Sequence, residues 1–481
     1  MKKTGFRLSG RQPDMNMTEG SILKNIVVFA LPLLLGNLFQ QLYNMVDTWV
    51  IGQTGQNGAY AAVGSVGPII NILIGAFSGF ATGAGVVISQ YFGARDEESV
   101  SKAVHTSVLL TLILCVVLTA LGVGMTPTIL RWMLESEGEA SEVLPFAEEY
   151  LTIYFAGISG LLIYNMGSGI LRAIGDSRRP FYFLLVAAVT NTLLDLLFVF
   201  VFNMGVAGVA YATVIAQIFS AICTVVVLLT TDSVVRVIPK RIRIDSAMLK
   251  KIVILGFPAA VQLALTAFSN VFVQGYIAGV NGDQTYALSG WTTYSKIDQF
   301  IFLPLQSLAL ATTTFVGQNY GIMNLKRAKN GTRVAYLCAT IITATIILIV
   351  EIFAAPLARL FNSDPAVVEN AVMLLHYITP FYLFCCVNQI FSSALRGVGN
   401  STAPMIIMLA SFVGFRQVYL FFMSNYISND LLPIGLSYPA GWAVCAVSTL
   451  AYYLIYKRKL EKNTRTHFRT TDKKASGRAS G

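Results

Sequence analysis

A chain of 481 residues would make about three soluble domains of ~150 residues, but 55% of its residues are apolar and only 12% are charged. That leaves too few charges to coat soluble globules, and the apolar runs far exceed the ~10-residue alternating strands of a membrane β-barrel. The composition therefore indicates an all-α polytopic membrane protein, and the net charge of +10 has to be read by position before a nucleic-acid partner is considered.

The first 21 residues are polar and basic, and the apolar run after them is too long for a signal-peptide core. Crossing the bilayer takes ~20 mainly apolar residues. Twelve such runs follow, at 26–50, 60–92, 104–125, 150–171, 181–203 and 206–230, then 252–279, 286–316, 334–355, 371–395, 403–427 and 434–456. The implied organisation is a cytoplasmic segment (1–21), an amino lobe of six spans (22–231), a cytoplasmic linker (232–251), a carboxy lobe of six spans (252–460) and a tail (461–481) expected to be disordered. The six cysteines all lie inside apolar runs without a CxxC, and read as reduced apolar residues with no disulfide or metal role.

Thirty of the 34 Lys and Arg residues fall in alternate connections and the two termini. The opposite connections hold Arg131 and Arg359, and Lys296 and Arg416 lie within spans. The positive-inside rule then places both termini in the cytoplasm of a cell-membrane protein. The basic balance is topology and calls for no nucleic acid.

The two halves repeat. LRAIGDSRRP at 171–180 matches LRGVGNSTAP at 395–404, Pro32 matches Pro258, and Gln90 and Gly93 match Gln318 and Gly321. Six is even, so the halves enter the bilayer from the same side as parallel repeats, an arrangement found in secondary transporters with a midplane site. There is no GxxxxGK[ST], HExxH or GxSxG, and His105, His376 and His467 are far apart. A nucleotide-driven pump and a familiar enzyme are both disfavoured. No cofactor is expected; the energy would come from an ion gradient, in a protein acting as a monomer.

Several stretches together resemble the multidrug and toxic compound extrusion (MATE) family: FQQLYNMVD at 39–47, SQYFGA at 89–94, GVAG at 205–208 and the repeated pair just quoted. The resemblance spans about 22–460. It implies an antiporter that exports lipophilic organic cations or drugs by alternating access while Na+ or H+ enters. A lipid-linked oligosaccharide flippase is the alternative within transport, and it would need a strongly cationic cavity. A receptor or membrane enzyme is the alternative from another class.

Six charged residues lie inside the runs: Asp47, Asp195, Lys296, Asp298, Glu351 and Arg416. Such residues are functional candidates by default. Gln40, Tyr43, Asn44 and Asp47 share one helix face by spacing. Asn191 and Asp195, four apart, offer an amide oxygen beside a carboxylate, and Thr213 adds a hydroxyl. The bland reading is an interhelical hydrogen-bond cluster worth ~0.6–2 kcal/mol. The resemblance instead implies that Asp47, Asn191, Asp195 and Thr213 bind the coupling ion, Na+ or H+.

The second half differs. Phe415 and Tyr419 stand where Asn191 and Asp195 are in the first, and Thr266 and Cys385 stand where the NorM-like branch carries acids, so the DinF-like branch fits better. Gln262, Thr266, Asn270 and Gln274 form a row at spacing four. Lys296 and Asp298 are two apart and cannot face each other, which makes Arg416 the candidate partner of Asp298. Gln40, Tyr43, Asn44, Gln262, Thr266, Asn270, Lys296, Asp298 and Arg416 are the candidate cavity residues. Glu351 reads as interfacial.

Overall fold

Lipid offers backbone groups no hydrogen-bonding partner, so each apolar run has to close its own ladder as a helix. The computed structural model describes residues 15–53, 57–134 and 140–478, and among them every regular element is helical. The order is α1 (Ile22–Gly52), α2 (Asn57–Gly93), α3 (Glu97–Leu134), α4 (Ala140–Ala156), α5 (Ile158–Ala173), α6 (Arg178–Leu196), α7 (Gly205–Thr230) and α8 (Ser246–Ala278). There follow α9 (Gln284–Gly321), α10 (Leu325–Arg359), α11 (Pro365–Ile378), α12 (Tyr382–Gly397), α13 (Thr402–Leu409), α14 (Arg416–Phe422), α15 (Leu431–Gly435) and α16 (Ser437–Arg478). π-Helical turns extend α6 through Leu197–Val201 and join α13 to α14 through Ala410–Phe415.

Among the described residues, eleven spans are long and apolar enough to cross a membrane, and the pair α4–α5, bent by 47°, makes a twelfth if it is one span. The bend was not visible in the apolar run at 150–171. In place of the expected disordered tail, α16 continues as helix to Arg478. Side chains of polar residues start several helices: Ser21, Asp245, Asp283, Asn324 and Asp364 each accept from a backbone N–H of the first turn.

The repeated ten-residue motif has a local cause. Asp176 N donates to Leu171 O and Gly175 N to Arg172 O; Asn400 N donates to Leu395 O and Gly399 N to Arg396 O. Both are Schellman caps, and both need the left-handed glycine they have, at φ +90° in Gly175 and +89° in Gly399. The next residue then caps the following helix. Asp176 accepts from Arg178 N and Arg179 N, and Asn400 from Ala403 N.

Two hydrophobic cores correspond to the two lobes, but α1 and α8 divide between them. Ile26, Phe29, Ala30 and Leu33 of α1 pack in the carboxy-lobe core, while Val50 and Ile51 belong to the amino-lobe core. Met248, Ile252 and Leu255 of α8 pack in the amino-lobe core, while Val273 and Ile277 belong to the carboxy lobe. Each lobe thus lends the first half of its first helix to the other. Pro32 and Pro258 lie where the two helices pass between lobes.

The exchange seals the face that carries the start of α1 and the connection from α7 to α8. On α2, Gly79 and Gly83 lie directly on the backbone of α8 at Ala260 and Gly256, the close approach that small residues allow between membrane helices. Gln90 Nε2 donates to Gly397 O at 2.9 Å, and its repeat partner Gln318 donates through Nε2 to Ala173 O at 3.0 Å. Each glutamine reaches across to the capped helix end of the opposite lobe. A Cβ on Gly93 would strike the Gln318 carbonyl, and one on Gly321 the Gln90 carbonyl.

The segment before α1 straps this seal. Met17 is fully buried. Its N–H donates to Gln318 Oε1 at 2.9 Å, and its carbonyl accepts from Asn319 Nδ2 and Arg327. Glu19 pairs with Arg95 of the amino lobe while its carbonyl accepts from Arg327 of the carboxy lobe. The α7–α8 connection is tied down through His105 Nε2, which accepts from Ile238 N, and Thr106 Oγ1, which accepts from Asp245 N.

Overpacking typically costs ~1–3 kcal/mol, so Gly93→Val is expected to push the sealed state toward opening. In a protein with its six native cysteines replaced, Ser89→Cys, buried beside Gly317, should react with maleimide roughly tenfold faster when Gly93→Val is added. Unchanged labelling would show that this contact does not hold the lobes together.

Candidate functional site

The amino lobe brings its four candidate ion ligands together from α1, α6 and α7. Asp47, Asn191, Asp195 and Thr213 are all buried. The Asp47 carboxyl packs against the side chains of Asp195, Thr213 and Asn191. Asn191 Nδ2 donates to Thr213 Oγ1 at 3.5 Å, a long bond. Asp47 Oδ1, Asn191 Oδ1 and both Asp195 carboxylate oxygens receive no N–H or O–H donor. Four buried oxygens with no donor, two of them on a single carboxylate, suit a small hard cation or a shared proton.

Of the polar stripe on α1, Gln40 and Tyr43 are half-buried and Asn44 is exposed. The Tyr43 hydroxyl meets the Gln40 side chain, with Asp47, Tyr154 and Tyr164 nearby. Tyr150 and Tyr154 complete this wall. Their rings stack at 6.3 Å, Tyr150 faces the charges of both Asp47 and Asp195, and Tyr154 meets Gln217. Spacing on α4 carried a weak signal for them: two tyrosines four apart, one turn before the bend. Tyrosine is also common at membrane interfaces, which hid it.

The carboxy-lobe candidates separate into different environments. Gln262 is buried in a packing seam, where its Oε1 accepts from Arg396 Nη2 at 3.2 Å and its amide touches Met408. Thr266 turns its hydroxyl back onto the Gln262 carbonyl of its own helix. Gln274 is exposed. The row at spacing four is therefore no continuous cavity wall. Lys296 is half-buried and lies over the Phe361 ring at 5.9 Å.

The expected pairing of Arg416 with Asp298 does not form. Asp298 accepts from the hydroxyls of Tyr382 and, at 3.4 Å, Tyr294. Arg416 Nη2 donates to Ser269 Oγ at 2.8 Å and Asn270 Oδ1 at 2.9 Å, and its guanidinium lies over the Tyr438 ring at 4.7 Å. Neutral partners on α9 and α12 hold Asp298, and others on α8 and α16 hold Arg416, a choice of long-range packing that local spacing does not record. Glu351, near the far end of α10, accepts from Thr379 Oγ1 at 2.8 Å and contacts His376 Nδ1 at 2.5 Å, so it is paired rather than simply interfacial.

A family model described as MatE matches residues 32–197 and 258–421, the bulk of both repeats. The probable multidrug resistance protein YoeA of Bacillus subtilis is 29% identical over 453 residues, covering 92% of this chain and 96% of its own. The probable multidrug resistance protein NorM of Thermotoga maritima is 28% identical over 421 residues, covering 85% and 88%. Among solved structures, a MOP superfamily transporter from Pyrococcus furiosus, described as having a binding pocket of reverse polarity, superposes with a TM-score of 0.87 at 23% identity, covering 93% of this chain and 98% of that one.

The tyrosine pair around Asp298 makes a stability prediction. A hydrogen bond to a charged group contributes ~1.5–3 kcal/mol, so Tyr382→Phe should lower the melting temperature of purified protein more than Tyr294→Phe, whose bond is longer. Equal melting of both variants and the parent would mean that Asp298 finds its partners elsewhere.

Proposed function

This chain belongs to the MatE family, and on that premise we propose that it is an ion-coupled antiporter that exports lipophilic organic cations in exchange for Na+ or H+ by alternating access. The observation that carries the reading is the set of donorless oxygens on Asp47, Asn191 and Asp195, buried together in the amino lobe. Two carboxyls side by side in a low-dielectric site need a compensating positive charge. Either a substrate cation or the coupling ion supplies it, and the two compete.

In this scheme the free carboxylates attract the drug, and uptake of the ion by Asp47, Asp195, Asn191 and Thr213 releases it. Tyr43, Tyr150 and Tyr154 give the drug aromatic faces beside the acids, where a cation gains further from the ring quadrupole. Each net charge moved inward through ~100 mV contributes ~2.3 kcal/mol, so a one-for-one exchange of monovalent cations draws on the concentration gradient of the ion and not on the membrane potential. With both termini cytoplasmic, as the charge distribution supports, the sealed face is the inner one, and this conformation is the one that releases drug outward. The multidrug names of the relatives support the substrate class.

Asp195→Asn removes the charge and keeps the shape. Its expected outcome is loss of drug export, by tenfold or more, with insertion and expression unchanged; wild-type export by this variant would sink the mechanism. Asp47→Asn should behave alike.

The ion is identified by release. Added sodium at constant pH should displace a bound fluorescent cation from the parent protein and not from Asp195→Asn. Displacement by acid alone, with no sodium effect, assigns the site to protons; displacement by neither removes ion coupling from this site.

A further inference from the structure

The carboxy lobe holds a charge that the cation exchange does not use. Arg416 is 2% exposed, and no carboxylate lies within ion-pair distance of it among the described residues. Asp298, the acid that sequence spacing offered it, is held by two tyrosine hydroxyls. Arg416 Nε is buried without any acceptor. A guanidinium presents its donors in a planar fork that fits a carboxylate or phosphate, and here neutral oxygens receive it.

The surrounding side chains repeat the same one-sided pattern. Ser269 Oγ accepts from Arg416 Nη2 and, at 3.0 Å, from Gln417 Nε2. Asn270 Oδ1 accepts from Arg416 Nη2 and, at 3.3 Å, from the Tyr438 hydroxyl. Three donor side chains from α14 and α16 thus converge on two neutral oxygens of α8. Asn270, Gln417 and Tyr438 are only half-buried, so the donor set is reached from their side. A carboxylate taking the place of the Asn270 amide oxygen would exchange neutral hydrogen bonds for charge-assisted ones, which are about twice as strong.

The repeat relation adds an independent argument. The amino-lobe site is built from α1, α6 and α7, the first, fifth and sixth spans of its half. Arg416, Asn270 and Tyr438 come from α14, α8 and α16, the fifth, first and sixth spans of the other. The corresponding junctions hold acceptors without donors in one lobe and a donor without an acceptor in the other.

We propose that Arg416, Gln417 and Tyr438 form an anion subsite that binds a carboxylate of the exported molecule, so that the preferred substrates are zwitterions. This rests on the antiporter reading and names its substrate class. The amine of such a substrate is compensated by the amino-lobe acids and its carboxylate by Arg416.

The probes are a rhodamine zwitterion with a free carboxylate and its methyl ester, a pure cation, titrated by fluorescence anisotropy into purified protein. The parent should bind the acid about tenfold more tightly than the ester, the size of a lost charge-assisted bond. Arg416→Gln should abolish that preference, weakening the acid about tenfold more than the ester. Gln417→Leu and Tyr438→Phe should each reduce the preference in part, which keeps the test standing should Arg416→Gln fail to fold. No preference in the parent, a preference that survives in Arg416→Gln, or equal loss of acid and ester overturns the subsite. The two ideas stay separable: failure of all export in the parent counts against the antiporter reading, while the acid-over-ester binding preference alone decides the anion subsite.

Discussion

Two carboxyl groups packed together inside a membrane protein, with three of their four oxygens lacking a donor, impose a condition on everything around them. A charge at the bilayer centre costs ~2.5–3.5 kcal/mol even on the lenient insertion scale, and a second like charge beside it adds repulsion. Asp47 and Asp195 have no Lys or Arg partner among the described ion pairs. Under the proposed mechanism their compensation is exchangeable. The amino lobe around them keeps this site narrow: Asn191 one turn before Asp195, Thr213 from the adjoining helix, and the stacked Tyr150 and Tyr154 on the bent fourth span. A fixed arginine in the same place would make a stable lobe with nothing to exchange.

The carboxy lobe contains that arginine. The duplication has preserved the frame of each half closely: the Schellman cap with its left-handed glycine, the proline in the first helix, and the glutamine that reaches to the opposite helix end. These features hold backbone geometry, and a substitution in either half would break the seal they build together. The interior residues had no such constraint. Asn191 and Asp195 face Phe415 and Tyr419 across the repeat, and Arg416 stands one position away. The frame is symmetric because its two copies meet each other in the seal, whereas the fifth spans carry Asp195 in one lobe and Arg416 in the other.

Much of this was legible in sequence. Twelve spans follow from apolar length, and the α4–α5 bend changes the shape of one without changing the count. That Asn191 and Asp195 share a face was legible from a spacing of four, while their meeting with Asp47 and Thr213 was implied by the family resemblance and not by spacing. Tyr150 and Tyr154 were not legible, since an aromatic residue in a span has several ordinary reasons to be there. Nor were the partners of Arg416 and Asp298. Spacing says which residues share a helix face, while the neighbour that face meets is decided by packing across 84 residues for Asp298 with Tyr382 and 146 for Arg416 with Asn270. Gln262 was drawn into a packing seam for the same reason: its side chain meets Arg396, 134 residues away.

The exchange of helix halves gives the site and the seal a common element. α1 carries Asp47 near one end, inside the amino lobe, and buries Ile26, Phe29 and Leu33 near the other, inside the carboxy lobe. The strap that ends in Met17 and Glu19 joins that second end to Gln318 and Arg327. Pro32 lies between the ends and removes one backbone donor from the ladder, the position where a helix bends at least cost. α8 repeats the arrangement through Pro258 but places Val273 where α1 has Asp47. Of the two crossing helices, α1 alone carries a carboxylate, and it joins that group to the inter-lobe seal. Under the proposed mechanism, neutralising Asp47 acts on a helix whose far end already belongs to the opposite lobe, so local charge compensation has a covalent path to the gate without any relay of side chains between them.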